Sequence, residues 1–532
     1  MNLLLKIKKH FFPFKVIFNS LKLVVLLKFN KKYKINYVNK TVIIECIRDD
    51  IFYYLFVFLM CYFIASNVKK IILIKDDGVL KHFDVKKSLN GKSIDFLLLH
   101  NRKYILRTIQ NFLFAFIKPK NLIIKKYSDL LKDIKIDKRK IDYKKLSVHT
   151  DASHKRFFGG RDVDINNEKH VKYIDLCYEN EIINSTIANI IIDKYKPDLY
   201  ITLDGIYTTY GPIVEKMKTN NITVLIYQVN GFQDRSLFIG DDHFSVFNVS
   251  RHWENFKNNI YSEIYEKKVS GFFNNRINNN LYTTSEEILY INEIKKRINN
   301  YKRIIGIFPN LTWDGAIKQR DTIFKSLLDW LIETINWIKN KPYCLLLREH
   351  PKPKEKYTDY DSILLLLKEN ITEIDNIKNL ILIDGFKTIK SYFLIKEILD
   401  CSIVYNGTLG VEISYMGKPV IFAGNSPYRG KGVGYEPKSK KEYFKLLEEV
   451  NKNSTDFLEN KNNFKKNAVT AAAYQFFYNS YYCPIMPTVY NFYNSKDKYW
   501  QSWDLDRKHL DPNLCPGWKR TLDRFLEPLL GK

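Results

Sequence analysis

The sequence predicts an α/β protein built from two doubly wound, Rossmann-like domains, and three observations carry that expectation. Strand-like runs alternate with helical ones at Thr41–Gly78 and again at Asp198–Gln228, which is the βαβ pattern. Between Tyr301 and Gly434, further strand-like runs each end in a small polar cluster. The chain, at 532 residues, is too long for one typical core.

Element by element, the amino-terminal segment to residue 38 reads as a basic arm. Leu4, Ile7, Phe11, Phe14, Ile17, Phe18, Leu21 and Val25 recur at helical spacing among Lys6, Lys8, Lys9, Lys15 and Lys22. Lysines interrupt its apolar run and no small-residue cleavage site follows, so it does not read as a signal peptide. A surface helix on an anionic membrane and a packed helix broken near Pro13 both fit the pattern. Residues 39–250 form the predicted amino-terminal domain. Ile51–Ala65 is the most apolar run of the chain, yet it is shorter than the roughly 20 residues a span needs. Lying between TVIIEC and KKIILIKDDG, it reads as a buried crossover helix.

The stretch His149–Asp164 breaks the pattern at Gly159-Gly160 and reads as a loop, either beside a site or on the surface. A strand ends at Asp204-Gly205, where an α/β sheet presents its ligand-facing residues. Asp204 there is either a general base or a turn former; Asp151 is a second, weaker base candidate. Residues 251–300 read as a helical linker and 301–451 as the second domain. Residues 452–532 form an aromatic-rich extension whose rings are expected to pack on the body.

Composition excludes some classes. Hydrophobic residues make up 45% and charged residues 27%, the balance of a folded chain. Seven scattered cysteines with no CxxC pair point to reduced thiols in a cytoplasmic protein rather than a metal or disulfide framework. The net charge of +27 is spread along the chain and no nucleic-acid motif accompanies it. Anionic lipid, a phosphorylated donor or an acidic polysaccharide suits the charge as partner.

The second domain carries the chemistry. After the strand Arg303–Phe308 comes Pro309-Asn310-Leu311-Thr312-Trp313-Asp314-Gly315, then an amphipathic helix whose amino end suits a phosphate. Asn310 and Thr312 offer hydrogen bonds; Asp314 is either a ligand or a cap. The strand Tyr343–Leu347 leads to Arg348-Glu349-His350-Pro351-Lys352. Arg348 offers an anion a bidentate fork, and His350 and Lys352 add donors. The strand Ser402–Tyr405 ends in Asn406-Gly407-Thr408-Leu409-Gly410, followed by a short helix bearing Glu412. Gly407 and Gly410 are expected to let a ligand approach the backbone, with Glu412 reaching a ribose diol. A mobile cationic loop with Arg429 and Lys431 follows the next strand. Together these groups predict one anion-binding crevice for a nucleotide.

NLTWDG, LLLREHP and SIVYNGTLGVEISYMGKPVIFAG with YRGKG, in this order, resemble the capsular polysaccharide biosynthesis proteins, which include the Kdo transferases of capsule export systems. Arg348, His350 and Pro351 match one family pattern, and Thr408, Gly410, Glu412, Gly417, Lys418 and Pro419 match the other; Gly407 stands where the family commonly has Ser. The resemblance covers roughly Tyr301 to Tyr435. It implies a metal-independent glycosyltransferase of the GT-B type, with two Rossmann-like domains facing a cleft and no cofactor. The partners it implies are a nucleotide-sugar donor, CMP-Kdo-like among the candidates, and a saccharide or glycolipid acceptor. His350, Arg348 and Asp204 are then the expected catalytic groups. The setting it implies is capsule polysaccharide biosynthesis on the cytoplasmic side of the cell envelope, with peripheral membrane contact. A polyol-phosphate transferase, a nucleotide-sugar epimerase of the same fold, and a non-catalytic protein binding membrane surfaces or nucleic acid are the alternatives.

Overall fold

The computed structural model describes residues 21–28, 33, 37–47, 51–80, 109–134, 141–242, 252–258, 262–278, 284–312, 322–350, 362–385, 389–488 and 506–531. Asp314, Lys352 and the arm before residue 21 lie outside these residues.

Two compact units emerge. Unit 1 comprises Met1–Thr150, Val171–Phe247 and Asn479–Lys532; unit 2 comprises Asp151–His170 and Asn248–Tyr478. The chain therefore enters unit 2 briefly at 151–170, and its last segment returns to unit 1.

Unit 1 is organised on β1 (Val38–Cys46), β2 (Val68–Lys75), β3 (Leu122–Lys126), β4 (Leu199–Thr202), β5 (Thr223–Val229) and β6 (Ser236–Gly240). The order β5-β4-β1-β2-β3 is parallel throughout, and β6 adds antiparallel to β5. Residues Val42–Cys46 of β1 are all buried, as expected of a strand covered on both faces. The apolar run folds as the helix Ile51–Ala65, crossing from β1 to β2. Apolar nearly all round, it needs cover on its far side as well. That cover is the helix Pro516–Leu526: Trp518 meets Phe63 and Phe525 meets Phe56, each with ring centroids 5.8 Å apart. The aromatic end of the chain thus packs where the sequence carries its most apolar helix. Residues 21–28 are helical, with Leu23, Val24 and Leu27 buried in the same core. Among the described residues, no helix is long and apolar enough to cross a membrane.

Unit 2 is organised on β7 (Arg303–Phe308), β8 (Tyr343–Arg348), β9 (Leu380–Ile383), β10 (Cys401–Val404) and β11 (Val420–Phe422). All pairings are parallel, in the order β11-β10-β7-β8-β9. The helix Leu327–Ile338 covers one face, burying Leu327, Trp330, Leu331, Ile335 and Ile338. Its start is set by Ser326, whose Oγ accepts from Asp329 N at 3.1 Å. A last strand, β12 (Tyr481–Tyr482), returns to pair antiparallel with β6 of unit 1.

Numbered within its own unit, each set of parallel strands runs 3-2-1-4-5. Both sheets are therefore doubly wound, with a switch point between the first and fourth strands where such sheets take ligands.

The stretch His149–Asp164, expected as a loop, is mostly helix: Val148–Phe157, ending at Gly159 (φ +63°) and Gly160 (φ +89°). Gly160 N donates to Lys155 O at 2.8 Å, closing the last turn as glycine at a helix C-terminus does. The paired glycines are a helix stop rather than a loop.

Candidate functional site

In unit 2 the switch point falls between β7 and β10, and β8 lies on the other side of β7. Three adjacent parallel strands thus bring Asn310-Leu311-Thr312, Arg348-Glu349-His350 and Asn406-Gly407-Thr408 to one sheet edge. The best-defined contact crosses the switch point itself: Asn310 Oδ1 accepts from Asn406 N at 3.2 Å. A Cβ on Gly407 would lie 3.6 Å from Asn310 Nδ2, an ordinary contact, and Gly407 itself is half-buried beside Asn310. Asn406 Oδ1 is buried and has no hydrogen-bond partner among the described residues.

Thr312 faces a different neighbour from the one expected. Its hydroxyl donates to Gly159 O at 2.8 Å, and a Cβ on Gly160 would sit 2.4 Å from its own Cβ. The single hydroxyl proton is engaged, so Thr312 Oγ1 fixes the Asn310 loop against the Gly159-Gly160 turn and has no proton left for a phosphate. The turn is backed by buried rings. His170 stacks on Phe158 at 3.8 Å between centroids, and His154 Nε2 donates to His170 Nδ1 at 3.1 Å. Burial pushes His154 down to about 3, so it stays neutral.

The second cluster is a structural clasp with one exposed member. Arg348, expected as an anion fork, is 2% exposed. Its Nη1 donates to Glu349 O at 3.0 Å and Asp384 O at 2.5 Å, and its Nη2 to Ile389 O at 3.4 Å. Glu349 accepts from Ile363 N at 2.7 Å and Gly385 N at 2.9 Å. These bonds tie the end of β8 to the segment after β9 and to the helix start at Ile363, so the guanidinium serves carbonyls of the fold. His350, next along the chain, is exposed at the sheet edge.

Glu412 also turns inward. It is 1% exposed on the helix Leu409–Tyr415, and Tyr392 OH donates to its Oε2. Arg276 Nε donates to Tyr392 OH at 2.8 Å and lies 3.8 Å from Glu412 Oε1. Burial raises the Glu412 pKa, opposed by Arg276 and Tyr392. Gly410 serves packing rather than ligand approach, since a Cβ there would come 2.4 Å from the Phe422 ring. The helix itself is seven residues long, with Thr408 at its N-cap making no side-chain cap bond.

The cationic loop is a tied turn, where mobility was expected. Arg429 Nη2 donates to Pro437 O at 2.6 Å, and Gly430 N donates to Glu436 at 2.8 Å. Lys431 Nζ sits over the Trp253 ring, 5.5 Å from its centroid, where burial lowers its pKa against the pull of Glu254 and Glu436. The amphipathic helix expected with Leu327, Leu331, Ile335 and Ile338 on one face runs Leu327–Ile338.

In unit 1, Asp204 stands at the carboxyl end of β4. Its Oδ1 accepts from Gly205 N at 2.6 Å and Ile206 N at 3.0 Å, the bonding of a turn former. Asp151 lies in the helix Val148–Phe157, in the segment that belongs to unit 2. The residue missed there is Glu45, penultimate in β1, fully buried and bonded by Thr202 and Tyr127. Its signal was a lone acid inside the apolar strand run TVIIEC.

The sequence matches no known protein family model and no curated protein. Solved structures similar to the chain include the trehalose-6-phosphate phosphatase N-terminal domain of Candida albicans, at 10% identity, covering 84% of this chain and 97% of that one, with a TM-score of 0.33. Another is KpsC, a β-Kdo 2,7 transferase of Thermosulfurimonas dismutans, at 12% identity, covering 65% and 94%, TM-score 0.33. A third is the UDP-GlcNAc 2-epimerase of Neisseria meningitidis bound to UDP-GlcNAc, at 10% identity, covering 93% and 100%, TM-score 0.24. The fold assignment rests on the strand order of the two sheets.

Proposed function

We propose that the chain is a glycosyltransferase of the GT-B type, moving a sugar from a nucleotide-activated donor to a saccharide or glycolipid acceptor. One observation carries the reading: the three polar clusters lie on three adjacent strand ends at the switch point of unit 2, with the Asn310–Asn406 contact across it. The nucleotide would lie along that edge, against Asn310, the half-buried Gly407 and Thr408, and His350. Arg348, Glu349, Thr312 and Glu412 then hold the strand ends in place, and Arg429 and Lys431 fix the loop after β11.

In the transfer, an acceptor hydroxyl oxygen bonds to the anomeric carbon and gives its proton to solvent, while the bond from that carbon to the nucleotide phosphate oxygen breaks and its electron pair stays on the phosphate. Negative charge grows on the departing phosphate. An exposed histidine at that position would lower the barrier by stabilising it. The acceptor would take the crevice of unit 1 near Asp204.

Thermal melting with CMP, CDP, UDP, GDP and their sugars tests the donor site. A stabilising nucleotide is expected to raise the midpoint in proportion to the logarithm of its concentration. If CMP alone does so, a Kdo- or sialic-acid-type donor follows; if none does, the donor-site reading fails.

A further inference from the structure

The switch point of unit 1 holds a hydrogen-bond network with one more contact than its two hydroxyls have hydrogens. Thr202 Oγ1 lies 2.6 Å from Glu45 Oε2. Tyr127 OH lies 2.8 Å from Glu45 Oε1 and 3.1 Å from Asn184 Oδ1. Asn184 Nδ2 donates to Thr208 O at 2.8 Å, which settles the amide's orientation and leaves its Oδ1 as an acceptor toward Tyr127. These contacts make three hydrogen bonds between Glu45, Thr202, Tyr127 and Asn184. The two hydroxyls bring one hydrogen each, and a carboxylate brings none. A protonated Glu45 would supply the third by donating to Tyr127, leaving the Tyr127 hydrogen for Asn184.

The relay has a destination. It starts at Thr202, the last residue of β4, and returns at Thr208, in the segment directly following that strand. Asp204, Gly205 and Ile206 lie between the two anchor points. A second anchor holds the same segment: His149 Nδ1 is 2.7 Å from Ile206 O, and its Nε2 is 3.1 Å from Glu215. A small cavity opens beside Glu45, lined by Cys46, Tyr53, Leu203, Tyr210 and Tyr227 among others.

We propose that Glu45 is a proton-bearing positioning residue, which through Tyr127 and Asn184 sets the conformation of the Asp204 segment at the mouth of the unit 1 crevice. Loss of its proton leaves two hydrogens for three bonds. The carboxylate then claims the Tyr127 hydrogen, Asn184 Oδ1 loses its donor, and the hold on Thr208 loosens.

The surroundings favour the protonated acid. Burial raises Glu45 to about 7, against the lowering effect of the hydroxyls of Thr202, Tyr200 and Tyr127, and Asp76 raises it further. Tyr127, Tyr200 and Tyr227 are buried and pushed well above their usual range, so they remain neutral donors. Lys75, the cation at the end of the neighbouring β2, donates to Asn111 Oδ1 at 3.1 Å.

Amide hydrogen exchange across residues 203–210, referenced at each pH to unstructured peptide rates, tests this without any substrate. Between about pH 6 and about pH 8 the native protein is expected to lose roughly tenfold in protection there. Glu45→Gln, whose amide donates to Tyr127 at every pH, keeps that protection throughout. Tyr127→Phe, which breaks the relay, shows low protection at both ends of the range. Constant protection in the native protein overturns the proposal. So does a Glu45→Gln variant that falls with pH as the native protein does, or that is unprotected at all pH values. Absence of nucleotide binding would remove the donor reading and leave this result standing.

Discussion

The two switch points share a topology and differ in what stands on the strand ends. At β1/β4 the ends carry a buried acid and hydroxyls that bond one another, so the polar groups are consumed within the fold. At β7/β10 the ends carry Asn310, Asn406, Gly407 and Thr408, with Asn406 N donating to Asn310 Oδ1 across the gap. Strand order decides where a crevice forms, and the residues at each strand end decide which polar groups are spent on one another and which stay available to a ligand.

This contrast can be broken by mutation. The largest effect is expected from Arg348→Ala, which strips three carbonyls of a buried charged donor and should cost unit 2 about 3–5 kcal/mol in urea unfolding. A loss below about 1 kcal/mol would instead return Arg348 to the ligand. Next comes the pH dependence of unit 1. Because Glu45 titrates higher in the fold than in the unfolded chain, its contribution is complete at low pH. It is lost as pH rises from the ordinary carboxyl range through about 7. The fall should amount to roughly 3 kcal/mol, and Glu45→Gln should flatten the profile. Thr312→Val deletes one neutral hydrogen bond to Gly159 and is expected to cost about 1 kcal/mol. His350→Ala, at an exposed position, should change stability by no more than about 0.5 kcal/mol while weakening nucleotide binding severalfold in calorimetric titration. A large stability loss there would make the histidine part of the fold.

The sequence displayed some of this plainly. Parallel strands buried on both faces leave apolar runs, and the residues that break those runs mark the strand ends, so the three clusters of unit 2 were legible. Side-chain direction was not. Arg348 and Glu412 sit in the expected places, yet both point inward, because nothing in RxHP or TLGVE specifies that the carbonyls of Asp384 and Ile389, or Tyr392 and Arg276, lie within reach. Glu45 escaped notice because its partners, Tyr127, Asn184 and Thr202, are 82, 139 and 157 residues away in sequence. The Gly159-Gly160 pair was legible as a break, but its packing on Thr312 depends on a contact 153 residues distant.

Hydrogen exchange with and without the nucleotide that stabilises the protein most would test the central claim most directly. The account predicts new protection at residues 306–312 and 403–410, the two sides of the unit 2 switch point. Protection that appears instead around residues 203–210, with 306–312 and 403–410 unchanged, would contradict it.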